Sequence, residues 1–156
     1  MSKFSRLLSL VISAIVRSNS STLQWTQNLL NLFKMANFKM NFFTLNEFES
    51  PDLPGSGNKM DQEFLRKIDK AREIANIPFT INSGYRTQKH NLKVGGVFAS
   101  SHKKGLAADI STKGSDQKFI ILDALMKVGF TRFGIGSTFI HVDQDTEKSQ
   151  NVIWTY

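Results

Sequence analysis

Apolar side chains recur at helical spacing in two segments of the chain. In residues 60–76 they share one face of a helix and fall at Phe64, Leu65, Ile68, Ala71, Ile74 and Ala75. Asp61 is a suitable N-cap for this helix, and Pro78 stops the pattern. Residues 115–128 show a second apolar set that ends at Gly129. The spacing therefore predicts two amphipathic helices.

Five other segments are short, apolar and separated by turn-forming residues, which is typical of β-strands. They are residues 79–85, 105–112, 130–135, 138–143 and 152–156. Because consecutive strands with short connections tend to pair with one another, we expect a mostly antiparallel sheet with the helices packed on one side. The predicted fold class is α+β.

Residues 1–40 differ from the rest and are interpreted as an N-terminal arm, and residues 41–156 are the predicted domain. The arm starts with Lys3 and Arg6, is mostly apolar over residues 7–16, and then becomes polar. This layout is that of a secretory signal, and its apolar stretch is shorter than the ~20 residues that span a bilayer. Three interpretations stay open: a signal or membrane anchor, an amphipathic helical extension, and an extension that the domain does not need.

The composition narrows the functional classes. Hydrophobic residues make up 40% and charged residues 21% of the 156 positions, which is typical of a globular protein. The absence of cysteine excludes disulfide scaffolds, cysteine zinc fingers and thiol nucleophiles. A metal ion would therefore be held by histidine and carboxylate side chains.

The net charge of +7 is unevenly distributed along the chain. Residues 1–40 carry five basic and no acidic side chains, whereas residues 41–156 carry 15 basic and 13 acidic ones. Proteins that bind nucleic-acid phosphates need a strongly basic surface, and the charges of the predicted domain are nearly balanced. We therefore expect no nucleic-acid partner.

Strand alternation predicts that several ionisable residues share one face of the sheet. Successive side chains of a strand point to opposite faces, so Asp109 points away from its apolar neighbours, and His141 and Asp143 point away from theirs. With His102 in the preceding loop, Asp109 and His141 form a His–Asp–His set that suits zinc and leaves a fourth position for water. Simpler interpretations stay open on spacing alone: a loop histidine, a hydrogen-bonded core histidine, and a carboxylate that caps a turn or pairs with lysine.

Three motifs carry a resemblance to a known family. They are Ser83-Gly84-Tyr85-Arg86, Ser100-x-His102-x-x-Gly105-x-Ala107-x-Asp109, and Ile140-His141-Val142-Asp143, with His90-Asn91 between the first two. In order and spacing they resemble the zinc D-alanyl-D-alanine carboxypeptidase family, whose fold is shared with the hedgehog signalling domain. They are most similar to a subgroup found in phage lysis proteins and bacterial wall-remodelling proteins. The resemblance covers about residues 41–156.

The resemblance implies a zinc peptidase that hydrolyses peptidoglycan stem or cross-link peptides, with its zinc in a cleft on the sheet. One zinc ion per chain would be held by His102, Asp109 and His141, and Arg86 would stabilise negative charge on the substrate. We also expect His90, Ser100 and Trp154 to contact the substrate. For His90 two alternatives stay open: it orients another residue of the site, or it is an ordinary histidine on a helix face or in a loop.

The general base is expected to be Asp143, because the family's usual carboxylate position, three residues before the last histidine, is Thr138 here. The alternative is that Asp143 only orients His141 or Arg86. A competing function is a non-catalytic zinc-binding module that recognises wall peptide or a protein partner. We expect a monomer that acts at the cell envelope or in the periplasm, reached through an N-terminal signal or through phage lysis, and membrane contact by the arm is an open interpretation.

Overall fold

The computed structural model describes residues 24–29 and 38–156 of the chain. Residues 24–29 are helical, and Met40–Tyr156 forms a compact unit that is described here by itself. The apolar stretch at 7–16 lies outside the described residues, so the interpretations of the arm stay predictions. Within the described residues, no helix is long and apolar enough to cross a membrane.

The compact unit contains three α-helices and five β-strands. The helices are α1 (Gln62–Ala75), α2 (Gln88–Lys93) and α3 (Ser115–Lys127). The strands are β1 (Ile81–Ser83), β2 (Ala107–Ser111), β3 (Arg132–Ile135), β4 (Phe139–Asp143) and β5 (Val152–Thr155). Three 3-10 helices, Leu45–Phe48, Ser56–Lys59 and Ser101–Lys104, lie in the connections.

Helix α1 confirms the first predicted helix and its cap. The side chain of Asp61 accepts a hydrogen bond from the backbone N–H of Phe64, which satisfies one of the free donors at the helix start. The helix ends at Asn76, whose backbone is left-handed. The helix packs against α3 and buries Phe64, Leu65, Ile68 and Ala71, whereas Ile74 of the predicted apolar face is 40% exposed. On α3 the apolar pattern overstates burial, because Phe119 is 73% exposed.

The five strands form one mixed sheet in the order β1-β2-β4-β3-β5. The first three pairings are antiparallel, and β3 pairs with β5 in parallel. The chain leaves β4 through residues 144–151 and returns on the far side of β3, so β5 runs in the direction of β3. The α+β class agrees with the prediction. Three of the four strand pairings are antiparallel, and the parallel pair makes the sheet a mixed one.

Strand β2 is shorter than predicted because Gly105 belongs to the preceding turn. Gly105 has a φ of +71° and ends the 3-10 helix Ser101–Lys104. A Cβ at this position would lie 2.2 Å from the carbonyl oxygen of Lys59, so only glycine fits. The strand therefore starts at Ala107. The side of the sheet that faces the core carries three fully buried residues, Ile110 on β2 and Ile140 and Val142 on β4.

Candidate metal centre

Asp109 and His141 lie directly opposite each other on the antiparallel strands β2 and β4. Residues opposite each other in a sheet share a face, so the register agrees with the alternation seen in the sequence. On the same row of the sheet, Ser83 of β1 lies beside Asp109, and Gly134 of β3 lies beside His141. The sheet thus presents a carboxylate and an imidazole side by side.

His102 reaches the same point from the 3-10 helix Ser101–Lys104. Its Nε2 lies 3.2 Å from Nδ1 of His141 and 3.3 Å from Oδ1 of Asp109. The distance between Nδ1 of His141 and Oδ1 of Asp109 is 2.8 Å. Two nitrogen donors and one oxygen donor therefore converge on one position, and both histidines are buried. The three predicted ligands are together, and the set can hold a metal ion.

The outer nitrogen of each histidine ring faces a hydrogen-bond acceptor. Nδ1–H of His102 donates to the carbonyl oxygen of Gly84 at 2.7 Å, and Nε2–H of His141 donates to Oδ2 of Asp143 at 3.2 Å. A carbonyl oxygen or an ionised carboxylate can only accept. Oδ1 of Asp109 can accept from Nδ1 of His141 in the same way, so a metal ion at this position would take the place of that proton. Histidines that bind metals are held through the outer nitrogen in this way.

Electrostatics at the centre favour a neutral His102, an ionised Asp109 and a protonated His141. Burial lowers the pKa of His102, which keeps this imidazole neutral. Burial raises the pKa of Asp109, but hydrogen bonds from His102 and His141 outweigh this effect and lower it well below its usual range. For His141, burial lowers the pKa, and the hydrogen bonds to Asp109 and Asp143 reverse this and raise it. A metal ion would displace the proton that these carboxylates attract to His141.

Asp143 is fully buried behind His141. Its Oδ1 accepts hydrogen bonds from Nε of Arg132 at 2.8 Å and from the backbone N–H of Asp145 at 3.0 Å. Its Oδ2 faces the outer nitrogen of His141 and not the nitrogen at the metal position. These contacts favour the alternative in which Asp143 orients His141, and its assignment as general base stays a prediction.

Arg132 was missed by the sequence reasoning. It is buried on β3, where alternation places it on the face of Gly134, and it lies opposite Asp143 in the sheet. Its Nη1 also donates to the carbonyl oxygen of Ser149. A basic residue between the apolar Phe130 and Phe133 is the signal that could have indicated a buried ion pair.

Arg86 contacts Asp109, one of the three candidate metal ligands. Its Nε donates to Oγ of Ser83 at 2.8 Å, and its Nη2 donates to Oδ2 of Asp109 at 2.5 Å. These contacts use two of the five N–H groups of the guanidinium. Because Arg86 holds the Asp109 oxygen that faces away from the histidines, it fixes the carboxylate that would bind the metal. Its role in stabilising substrate charge stays a prediction.

The three donor atoms lie in the wall of a cavity of about 500 Å³. Of the predicted substrate contacts, Arg86, Ser100 and Trp154 line this cavity, and Lys148 and Tyr156, which the sequence reasoning did not select, line it as well. His90 lines a neighbouring cavity of about 270 Å³, which shares Arg86 with the first. His90 therefore shares a cavity with Arg86 and not with Ser100 or Trp154.

Gly134 allows two aromatic rings to lie beside His141. A Cβ at Gly134 would be 2.8 Å from ring atoms of Trp154 and 2.7 Å from a ring atom of Tyr156. The Trp154 ring lies 5.6 Å from the His141 ring between centroids, and the Arg132 guanidinium lies 5.4 Å from the Trp154 ring. The aromatic rings therefore form one wall of the cavity of about 500 Å³, which is called the metal cavity below.

The metal cavity can be compared with known protein families. The model of the Peptidase M15 family matches residues 37–143, which is more than half of the chain and includes all three residues of the candidate metal centre. A search of curated proteins found no match. The match confirms the resemblance seen in the motifs, and the His102–Asp109–His141 cluster fits a zinc-dependent family. This chain belongs to the Peptidase M15 family.

Proposed function

We propose that the protein is a zinc peptidase that hydrolyses peptidoglycan stem or cross-link peptides, as a carboxypeptidase of the D-alanyl-D-alanine type or as an endopeptidase. The observation that carries the proposal is the convergence of three metal-binding atoms on one position in the wall of a cavity of about 500 Å³. Three protein ligands with a remaining open position are typical of catalytic zinc. One zinc ion per chain is expected at this position.

The residues of the chain would hold the reactants in place. Zinc, when bound, supplies a Lewis acid that polarises a carbonyl group and activates water. Gly84 and Asp143 would hold the outer N–H groups of the two histidines, which leaves the inner nitrogens to bind zinc. Arg86, fixed by Ser83 and Asp109, would donate to the carbonyl oxygen as negative charge develops, and one such donor commonly contributes ~10²–10³-fold to the rate.

The remaining contacts would position the peptide. Ser100 and the Trp154 ring line the same cavity as the metal-binding atoms. His90 lines the neighbouring cavity, where it would contact a more distant part of the substrate. Because Arg86 lines both cavities, a peptide that extends past it would reach His90.

A second candidate function is a non-catalytic zinc-binding module that recognises wall peptide or a protein partner. Among the described residues, the carboxylates that line the metal cavity are Asp109 and Asp143. Asp109 would bind the metal, and the carboxylate of Asp143 already accepts hydrogen bonds from His141, Arg132 and Asp145. Thr138, at the family's usual position for the base, is exposed and cannot accept a proton as a carboxylate does. This shortage of a free base favours the binding module.

Hydrolysis of purified peptidoglycan separates the two functions. The zinc-loaded full-length protein is incubated with wall fragments, and the products are identified by mass spectrometry. The peptidase predicts new peptide termini that disappear with a chelator, return with zinc and are absent in His141→Ala. Retention of the fragments without cleavage would instead support the binding module.

We further propose that the protein acts as a monomer at the cell envelope or in the periplasm, without a nucleic-acid partner.

A further inference from the structure

Lys148 contributes a positive charge to the wall of the metal cavity. It lies in the connection between β4 and β5, beyond the residues that match the family model. Its Nζ donates to Oγ of Ser101 at 2.8 Å. Ser101 directly precedes His102 in the same 3-10 helix, so the Lys148 ammonium is attached beside a metal-binding residue. The side chain is about 29% exposed.

The positive charge of Lys148 is less neutralised by carboxylates than that of the other cationic side chains in the cavity wall. Arg86 and Arg132 each donate a hydrogen bond to a carboxylate, of Asp109 and Asp143 respectively. The carboxylate nearest to Lys148 is that of Asp145, and the distance from Nζ to its Oδ2 is 3.8 Å. This distance is too long for a hydrogen bond. Among the described basic side chains of the cavity wall, Lys148 therefore keeps the most charge for a ligand.

Asp145 is already satisfied by other donors. Lys104 donates to both of its oxygens, at 3.1 and 3.0 Å, and Ser101 donates to Oδ2 at 3.1 Å. An ammonium carries three N–H donors, and Ser101 accepts one of those of Lys148. The others remain for a group that enters the cavity.

We propose that Lys148 is a specificity-determining residue that binds a carboxylate of the peptide substrate. The inference rests on the proposed function, because it takes the cavity as the site that receives the peptide. An ammonium on a partly sheltered wall forms a short, charge-assisted hydrogen bond with a carboxylate. Two carboxylates of a wall peptide have this chemistry, namely the C-terminal one and the free α-carboxylate of a γ-linked glutamate.

Lys104 provides the matched control for this role. It binds the same Asp145 more closely than Lys148 does, and it is not among the described residues that line the cavity. If Lys148 only neutralised Asp145, Lys104→Met would disturb the site at least as much as Lys148→Met. If Lys148 binds the substrate, only Lys148→Met affects the peptide.

Binding is measured by calorimetry with the zinc-loaded full-length protein, Lys148→Met and Lys104→Met. The probes are a synthetic stem tetrapeptide with a γ-linked glutamate, its C-terminal amide, and its variant with the glutamate α-carboxylate amidated. We expect Lys148→Met to weaken binding of the parent peptide about 10-fold or more, because hydrogen bonds to charged groups are among the strong ones. Lys104→Met should bind like the wild type. One of the two amidated peptides should bind the wild type more weakly than the parent peptide does, and should bind Lys148→Met as well as the parent peptide does. The carboxylate that is amidated in that peptide is the one that Lys148 binds.

Product analysis of the same mixtures separates this inference from the proposed function. Cleavage and binding that are both unchanged in Lys148→Met would overturn the role of Lys148 and leave the peptidase intact. Equal losses in Lys148→Met and Lys104→Met would also overturn it, since they indicate a structural effect. Binding that depends on Lys148 without any cleavage would support the inference and overturn the peptidase. Absence of binding to all three peptides by the wild type would overturn both.

Discussion

Replacing Asp143 with asparagine tests how His141 is held at the metal position. The substitution keeps the shape of the side chain and exchanges one acceptor oxygen for an NH₂ donor. Two donors, Nε of Arg132 and the backbone N–H of Asp145, face Oδ1 of Asp143. The amide oxygen of the substituted side chain is therefore expected to stay with them, which turns the new NH₂ group toward Nε2 of His141.

This arrangement favours the tautomer of His141 that cannot bind a metal ion through Nδ1. To accept from the amide, Nε2 of His141 must lose its proton, and the neutral ring then carries that proton on Nδ1. Nδ1 is the nitrogen that lies 2.8 Å from Asp109 and faces the metal position. Loss of an orienting partner typically weakens metal binding 10–100-fold, which corresponds to about 1.4–2.8 kcal/mol. We expect the upper end of this range, because the hydrogen bond is reversed and not merely removed.

The assay is a competition titration of zinc against a chromophoric chelator near neutral pH, followed by turnover measured at rising zinc concentration. Asp143→Asn should bind zinc more weakly and recover turnover to within ~10-fold of the wild type at saturating zinc. Asp123→Asn, which changes an exposed carboxylate on α3 paired with Lys127, is the control and should match the wild type. Unchanged zinc affinity together with a loss of turnover of ~10²-fold or more at saturating zinc would show that Asp143 is the general base and refute the tautomer reasoning.

Three further predictions concern the metal, the arm and acid stability. His102→Ala and His141→Ala should each lose the bound zinc in metal analysis while circular dichroism keeps the signal of α1, and full zinc retention in either variant would contradict the site. A protein that begins at Met40 should fold and bind zinc like the full chain, since every residue of the centre follows position 80, and a folded truncated protein without zinc binding would show that the arm is needed. Burial raises the pKa of Asp145, but Lys104 and Ser101 outweigh it and lower it, so the ion pair stabilises the fold above about pH 4 and is lost as the pH falls further. Urea unfolding between pH 6 and pH 3 should therefore show a shallower loss of stability for Asp145→Asn, and an unchanged slope would contradict this assignment.

The face shared by Asp109 and His141 could be predicted from the sequence because strand alternation has a fixed period. The register that places them opposite each other follows the same period, so local pattern and sheet pairing agree. Helix α1 could also be predicted from the sequence, since its cap and its apolar spacing are both local signals. His102 could be assigned only through the motif, because a 3-10 helix has no hydrophobic period that would indicate where its side chains point.

Features that depend on contacts between distant parts of the chain could not be predicted from local sequence patterns. The parallel pairing of β5 with β3 is decided by where the connection at 144–151 crosses the sheet, and nothing in the strand's own residues encodes that path. The pair formed by Arg132 and Asp143 joins two strands across the sheet, so neither residue alone indicates the other. Lys148 lies in a connection without periodicity, and its position in the cavity wall becomes visible only when Ser101 is placed beside it.

The opposition of Asp109 and His141 on neighbouring strands also links metal binding to the folding kinetics. A slip of one residue between β2 and β4 would turn one of the two side chains to the other face of the sheet, so only the correctly paired strands bring the two residues together for a metal ion. The two residues are 32 positions apart, and the ligands meet only after this long-range pairing has formed. Zinc should then stabilise the native state more than the folding transition state. We expect zinc to leave the rate of refolding nearly unchanged and to slow unfolding, which would lengthen the lifetime of the folded protein wherever proteases are abundant.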